Sequence, residues 1–112
     1  MKLISAVIKS MKLDDVCDAL APLGVTGITI MEVKGTGKLS GRTSLYHGGD
    51  QSVSFLPKLK IELAVSADMA DRVVDAIINA AQTGRAGDGK IFILDLDDVV
   101  RIRTRESGVD AL

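Results

Sequence analysis

Cysteine, aromatic residues and surplus charge are all scarce in this sequence of 112 residues. Its one cysteine, Cys17, excludes an intrachain disulfide, and no histidine or cysteine lies at zinc-ligand spacing from it, so we expect no metal site. The few aromatic side chains and the absence of tryptophan leave no platform for stacking single-stranded bases. A net charge of −1 lacks the basic surplus that neutralises nucleic-acid phosphates. Nucleic acid is therefore not an expected partner.

Long apolar runs are also missing. No stretch approaches the roughly 20 apolar residues of a membrane-spanning helix. The N-terminus, which begins Met-Lys-Leu-Ile, lacks an apolar segment followed by a small-residue cleavage site. We expect a cytoplasmic protein with no direct membrane insertion. Its length predicts a single domain over residues 1–112, small enough that its sheet could need cover from another subunit.

The spacing of apolar residues predicts four strands and two helices. The strands are predicted at 2–9, 25–34, 58–65 and 91–96; one helix is predicted at 13–23, and the other starts after Ser66 and ends at a glycine-rich turn. The order βαββαβ is that of the split βαβ, or ferredoxin-like, α+β arrangement, in which both helices cover one face of an antiparallel sheet. The other face stays open, so we expect subunits to associate through their sheets.

A long loop separates the second and third predicted strands. Residues 36–54 are rich in glycine and serine and show no sustained periodicity. Structureless connections of about 20 residues are uncommon in small domains and are either functional or disordered. The side chains of Arg42, Tyr46 and His47 favour a functional loop that contacts a partner. The polar tail at 105–112 is predicted to be irregular and mobile.

The glycine-rich turn has the sequence Thr-Gly-Arg-Ala-Gly-Asp-Gly-Lys at 83–90. Its glycines let backbone N–H groups converge, and Arg85 and Lys90 add positive charge, which together predict an anion cradle that suits phosphate. The alternative is a helix C-cap at Gly84 followed by a plain turn. The spacing matches no Walker A motif, since no Ser or Thr follows the lysine.

The last predicted element is a short strand at 99–104, on which Arg101 and Arg103 alternate onto one face. Two planar guanidinium groups on one face can bind phosphate oxygens bidentately. The alternative is a solvated face on which these arginines pair with Asp97 or Asp98.

From end to end the sequence resembles the PII signal-transduction proteins, small trimeric nucleotide sensors of nitrogen metabolism. Several motifs in register carry this resemblance: Lys-Leu-Asp-Asp-Val at 12–16, Glu-Val-Lys-Gly at 32–35, Phe-Leu-Pro-Lys at 55–58, the turn at 83–90 with the Ile-Phe that follows it, and Val-Val-Arg-Ile-Arg-Thr at 99–104. Several spaced motifs over a full chain are more specific than any one of them, so the resemblance favours the anion cradle over the plain turn.

The resemblance implies a homotrimer with ATP or ADP in three clefts between subunits. Each cleft is lined by the glycine-rich turn of one chain and the closing strand of its neighbour. The residues that it assigns to nucleotide binding are Gly27, Thr29, Gly35, Gly37, Lys38, Glu62, Ala64, Gly87, Asp88, Gly89, Lys90, Arg101 and Arg103. The resemblance also implies that the nucleotide sets the conformation of the long loop, which docks on a target such as an ammonium channel or a metabolic enzyme.

The sequence departs from the family pattern at two loop positions. Typical members bind 2-oxoglutarate through magnesium on ATP, using a glutamine in the loop and the lysine after Pro57. Lys58 is present, but the glutamine position holds Leu39, which cannot ligate a hard cation. The tyrosine that many members uridylylate aligns with Gln51, which leaves this residue as a partner contact.

We therefore expect a non-enzymatic PII-like regulator of nitrogen or energy status, divergent in its effector. One alternative is a slow ATPase in which Lys90 and the arginines stabilise a transferring phosphoryl group, although Asp88 is the only acid in the turn. Another is a sensor that uses an effector other than 2-oxoglutarate. A third is a structural oligomer that binds no nucleotide.

Overall fold

The computed structural model describes residues 1–35 and 56–112. The predicted loop at 36–54 lies outside these residues. Within these two ranges, four strands and two α-helices follow one another in the predicted order: β1 (Lys2–Lys9), α1 (Leu13–Leu20), β2 (Thr29–Gly35), β3 (Leu56–Val65), α2 (Ala70–Ala81) and β4 (Lys90–Asp95). None of the helices in the two described ranges is long and apolar enough to cross a bilayer.

The four strands form one antiparallel sheet in the order β2-β3-β1-β4. β1 therefore lies in the middle, where Ser5 is opposite Glu62 of β3 on one side and Phe92 of β4 on the other. Together with the two helices, this order confirms the predicted ferredoxin-like α+β fold.

The core lies between the sheet and the helices. Residues directly opposite each other in an antiparallel pair share a face, so Ile4 and Leu63, which are paired, both point into the core. Ile61 of β3, Val16 of α1 and Ile77 of α2 are also buried there, as their spacing predicts. Each such side chain contributes roughly 1.5–3 kcal/mol by leaving water.

Several predicted boundaries move: β3 starts at Leu56 instead of residue 58, and a 3-10 turn at Ala67–Met69 precedes α2. The first α-helix ends at Leu20, and a tighter 3-10 turn occupies Ala21–Leu23, because Pro22 has no N–H with which to continue the α-helical ladder. Gly24 then reverses the chain at a φ of 79°. β2 starts at Thr29 instead of residue 25, since Val25 packs against the core from an irregular segment.

β4 is an edge strand of this sheet, and its apolar residues are only half covered. Phe92, Ile93 and Leu94 keep 51%, 52% and 48% of their surface exposed. An apolar edge that is left open in this way is typical of a surface that meets another chain.

The predicted strand at 99–104 is wrong. Residues 102–104 form a turn, and this closing turn folds back on its own tail: the N–H of Arg101 donates to the carbonyl of Glu106 at 2.9 Å, and that of Arg105 donates to the carbonyl of Arg101 at 2.8 Å. The one bridge here joins Val100 to Ser107. The tail is also more regular than expected, because a 3-10 turn occupies Gly108–Ala111.

Candidate functional site

The glycine-rich turn begins just after α2 and returns the chain to the sheet. Gln82 is already extended, so Gly84 lies beyond the helix end and the alternative of a C-cap at Gly84 is wrong. Gly84, Gly87 and Gly89 have φ values of 81°, 93° and 105°, a region that side chains other than glycine rarely adopt. The three glycines are therefore required by the path of the backbone.

Asp88 holds the turn in shape. Its carboxylate accepts hydrogen bonds from the Thr83 hydroxyl at 2.5 Å, the Thr83 N–H at 2.8 Å and the Gly84 N–H at 2.9 Å. These bonds favour the ionised form, and the Thr83 hydroxyl contributes most to lowering the pKa of Asp88 below its ordinary value. The carboxylate is thus occupied within the turn.

Two lysines join the turn to the sheet. The Lys9 ammonium lies 3.1 Å from the Asp88 carboxylate, and it donates to the Thr83 hydroxyl. Lys58 is buried, and its ammonium donates to the Gly87 carbonyl at 2.5 Å. Lys9 and Lys58 are opposite each other on β1 and β3, so their side chains leave the same face together. Lys58 was predicted as a site residue, whereas Lys9 was not, because its signal is its cross-strand position opposite Lys58.

The turn also lies against the sheet backbone. A Cβ on Gly89 would lie 1.7 Å from the carbonyl oxygen of Val7. Among the backbone hydrogen bonds of turns and loops in residues 1–35 and 56–112, none is donated by the N–H groups of Gly87 and Gly89. They remain available to an acceptor such as a phosphate oxygen.

A second set of predicted residues lies at the other end of β3. Thr29 is opposite Glu62 across the β2–β3 pair. Gly27 and Ala64 line a cavity of about 400 Å³, and Leu112 of the tail lines it too. The C-terminal tail therefore forms part of the wall of this cavity, which was not predicted from the sequence.

The two arginines behave differently. Arg101 pairs with Glu106 at 2.9 Å and also donates to the Leu112 carbonyl at 3.2 Å. The alternative pairing of Arg101 with Asp97 or Asp98 is not observed, and Glu106 was missed because the strand prediction placed it in an irregular tail. Arg103 lies exposed in the closing turn.

The predicted nucleotide residues do not converge within one chain. A strand rises about 3.4 Å per residue, so Lys58 beside the glycine-rich turn and Ala64 beside the C-terminal tail are about 20 Å apart. Gly35 and Lys90 belong to the first end. Seven predicted residues lie outside the described part of the chain: Gly37, Lys38, Leu39, Arg42, Tyr46, His47 and Gln51.

No group of three or more His, Cys, Asp or Glu side chains at metal-binding distance occurs within residues 1–35 and 56–112. In that part of the chain, the groups at the site that can bind an anionic ligand are backbone N–H groups and the cationic side chains of lysine and arginine.

Fold and turn together define a class: a ferredoxin-like α+β protein whose second helix leads into a glycine-rich turn tethered by lysines. The sequence model of the family described as nitrogen regulatory protein P-II matches residues 1–106. The chain is 52% identical over 112 residues to nitrogen regulatory protein P-II of Rhizobium etli, covering 100% of both chains. It is 57% identical over 106 residues to nitrogen regulatory protein P-II of Klebsiella oxytoca and to nitrogen regulatory protein P-II 1 of Escherichia coli, covering 95% of each chain.

The chain belongs to the nitrogen regulatory protein P-II family, which confirms the predicted resemblance. It is accordingly a signal-transduction regulator of this family.

Proposed function

We propose that three copies of this protein assemble into a ring, bind ATP or ADP in the clefts between them, and control a target protein through residues 36–54. Magnesium accompanies ATP, and the target is a membrane transporter such as an ammonium channel or a cytoplasmic metabolic enzyme. The family in general binds adenine nucleotides and acts on partner proteins, which supports the proposal.

The division of the site residues between the two ends of β3 is the observation that carries the proposal. Side chains about 20 Å apart on one sheet cannot close around one nucleotide. A neighbouring copy that brings its glycine-rich turn against the Ala64 end supplies the missing half. The half-exposed β4 edge gives each copy an apolar surface for such a contact.

Each end has chemistry that suits one part of the nucleotide. The N–H groups of Gly87 and Gly89, with Lys90 beside them, suit the phosphates, and the cavity next to Gly27 and Ala64 suits the planar base. In the cleft, Arg101 exchanges its Glu106 partner for a phosphate oxygen, whereas Arg103 is already exposed.

The state of Asp88 favours a protein that regulates by binding nucleotide over an enzyme that hydrolyses ATP. It is the only acid in the turn, and a general base works best when its pKa lies near the working pH. The pKa of Asp88 is lowered, chiefly by the Thr83 hydroxyl, and its carboxylate is bound within the turn. Its role in our proposal is to shape the turn that holds the phosphates, and the protein is not an enzyme.

The effector is the point at which we propose divergence from typical members. Lys58 is held by the Gly87 carbonyl, so an acidic effector has to displace that bond before it can pair with the ammonium. Leu39 offers no ligand for magnesium. We therefore propose that the protein senses ATP against ADP, alone or with an effector other than 2-oxoglutarate.

Isothermal titration with ATP and ADP tests the proposal. Arg103→Ala should weaken ATP binding by roughly 1.5–3 kcal/mol, which is the usual worth of a hydrogen bond to a charged group. Arg72→Ala is the matched control, because Arg72 is an exposed arginine on α2 and outside the predicted site. Equal affinities for the two variants would remove Arg103 from the site, and a wild-type protein that binds neither nucleotide would overturn the proposal.

A further inference from the structure

The guanidinium group of Arg101 is already occupied within its own chain. Its Nη1 donates to the Glu106 carboxylate at 2.9 Å, and its Nη2 donates to the Leu112 carbonyl at 3.2 Å. Both arms of the planar fork that can bind a phosphate bidentately are therefore bonded to acceptors of the tail. A phosphate that binds Arg101 in this way has to replace both of them.

The end of the tail also lies at the part of the site proposed for the base. Ala111 and Leu112 form one wall of the cavity of about 400 Å³, and the apolar side chains of Val65, Met69 and Val73 line it as well. Leu112 is partly buried there, because an apolar side chain leaves water when it lies against such a wall. The tail thus occupies groups in both the phosphate and the base parts of the site.

The closing turn contains one strained residue. Arg105 has a φ of 63°, the one positive φ at a residue other than glycine in residues 1–35 and 56–112. Its N–H donates to the Arg101 carbonyl at 2.8 Å, so this conformation belongs to the turn as it folds back on the tail. Strain of this kind persists only where surrounding contacts impose it, and it is common in segments that switch between two states.

We propose that the tail is an internal competitor of the nucleotide, which regulates the site of the proposed function and rests on it. In the docked state the tail holds Arg101 and walls the base cavity. Phosphates draw Arg101 away from Glu106 and Leu112, and the residues after Gly108 then leave the cavity. Gly108 is the fixed point of this movement, because its N–H donates to the Val99 carbonyl and to the Asp98 carboxylate, both at 2.9 Å.

A docked tail sets the nucleotide concentration at which the protein responds. The apparent affinity for a ligand is reduced by the fraction of chains whose site is open. Contacts that hold the tail therefore weaken nucleotide binding, although they lie within the site. A tail that instead clasped the bound nucleotide would have the opposite effect, so the sign of the change in affinity decides between the two.

Calorimetric titration with ATP measures this sign. Leu112→Ala removes apolar surface that holds the tail in the cavity and adds no charge, so the affinity for ATP should rise by about fivefold or more. Val109→Ala is the matched control, because Val109 belongs to the same 3-10 turn but is 65% exposed and does not line the cavity. Its affinity should stay within about twofold of the wild type.

A spin label on the tail reports the release directly. Val109→Cys carries the label in a Cys17→Ala background, and the width of the electron paramagnetic resonance lines measures its mobility. Without nucleotide, Arg101→Ala should already narrow the lines, because the Leu112 carbonyl loses its donor. Arg103→Ala should leave them broad, since Arg103 is exposed in the closing turn. Saturating ATP should narrow the lines when both arginines are present.

The outcomes separate this inference from the proposed function. Lines that stay broad with ATP bound, or an affinity for ATP that is unchanged or lower in Leu112→Ala, overturn the inference and leave the nucleotide clefts standing. Equal line widths for Arg101→Ala and Arg103→Ala without nucleotide overturn it too. A wild-type protein that binds no nucleotide overturns the proposed function and the inference together.

Discussion

Replacing Gly89 by alanine tests how the glycine-rich turn is held against the sheet. Gly89 has a φ of 105°, and a Cβ there would lie 1.7 Å from the Val7 carbonyl oxygen and 2.7 Å from its carbon. Both contacts are with backbone, which cannot rotate away. The turn or the β1–β4 pair must therefore shift.

Gly84→Ala is the control, because it separates strain from collision. Gly84 belongs to the same turn and has a similar φ of 81°, but a Cβ there meets nothing within 4 Å. A left-handed alanine costs roughly 1–2 kcal/mol. The less flexible unfolded chain returns about 0.4–1 kcal/mol of this. The net loss for Gly84→Ala is then about 1 kcal/mol.

Gly89→Ala adds the collision to the same strain. Displacing packed backbone typically costs about 1–3 kcal/mol, so we expect a total loss of about 2–4 kcal/mol in the free energy of unfolding. Urea denaturation of both variants at one protein concentration measures the difference. Equal losses would show that the turn does not lie against Val7 as described and would refute the reasoning.

Two other predictions concern the effector and the turn. Leu39→Gln, at a position outside the described residues, should create magnesium-dependent binding of 2-oxoglutarate, because an amide oxygen replaces an apolar side chain. Calorimetric titration with ATP present measures this binding. If no additional heat is observed, the side chain at this position does not by itself decide which effector binds. The pKa of Asp88 is lowered in the folded state, chiefly by the Thr83 hydroxyl, so its carboxylate adds stability above an unfolded pKa of about 3.9 and loses it as the pH falls further. The difference in urea midpoint between wild type and Asp88→Asn should be constant from neutral pH to about pH 4.5 and narrow below about pH 4, and a difference that persists unchanged to pH 3 would exclude this role.

Much of the fold was predictable from local patterns. The alternation of Leu59, Ile61, Leu63 and Val65 predicts one buried face of β3, and the register confirms it, since Ile61 lies opposite Ala6 in the core. Helical spacing likewise predicts that Val73 and Ile77 of α2 are buried. These positions are apolar because one side of a single strand or helix is buried. Burial on one side produces a periodic pattern that can be read directly from the sequence.

The closing segment shows where this kind of reasoning fails. Val-Val-Arg-Ile-Arg-Thr at 99–104 alternates like a strand, but alternation does not reveal whether a partner strand is available. The segment does not pair with the open edge of β4; it finds its hydrogen bonds in its own tail through Glu106 and Gly108.

The candidate site was only partly accessible to sequence reasoning. The glycines of the turn were identifiable from their spacing, whereas the ion pair between Lys9 and Asp88 joins residues far apart in the chain. One local signal was present: an aspartate five residues after Thr83 in a glycine-rich turn can reach back to the N–H groups that follow the helix.

The separation of the two ends of β3 has a consequence for mixed populations of chains. In a ring of the kind proposed, every cleft takes one end from each of two copies, so no chain owns a complete site. A chain with a defective glycine-rich turn and a chain with a defective closing turn are each inactive alone. When they co-assemble, the intact turn of one meets the intact arginines of the other, and one working cleft is rebuilt. Two loss-of-function alleles of such a gene would therefore complement each other inside a single cell.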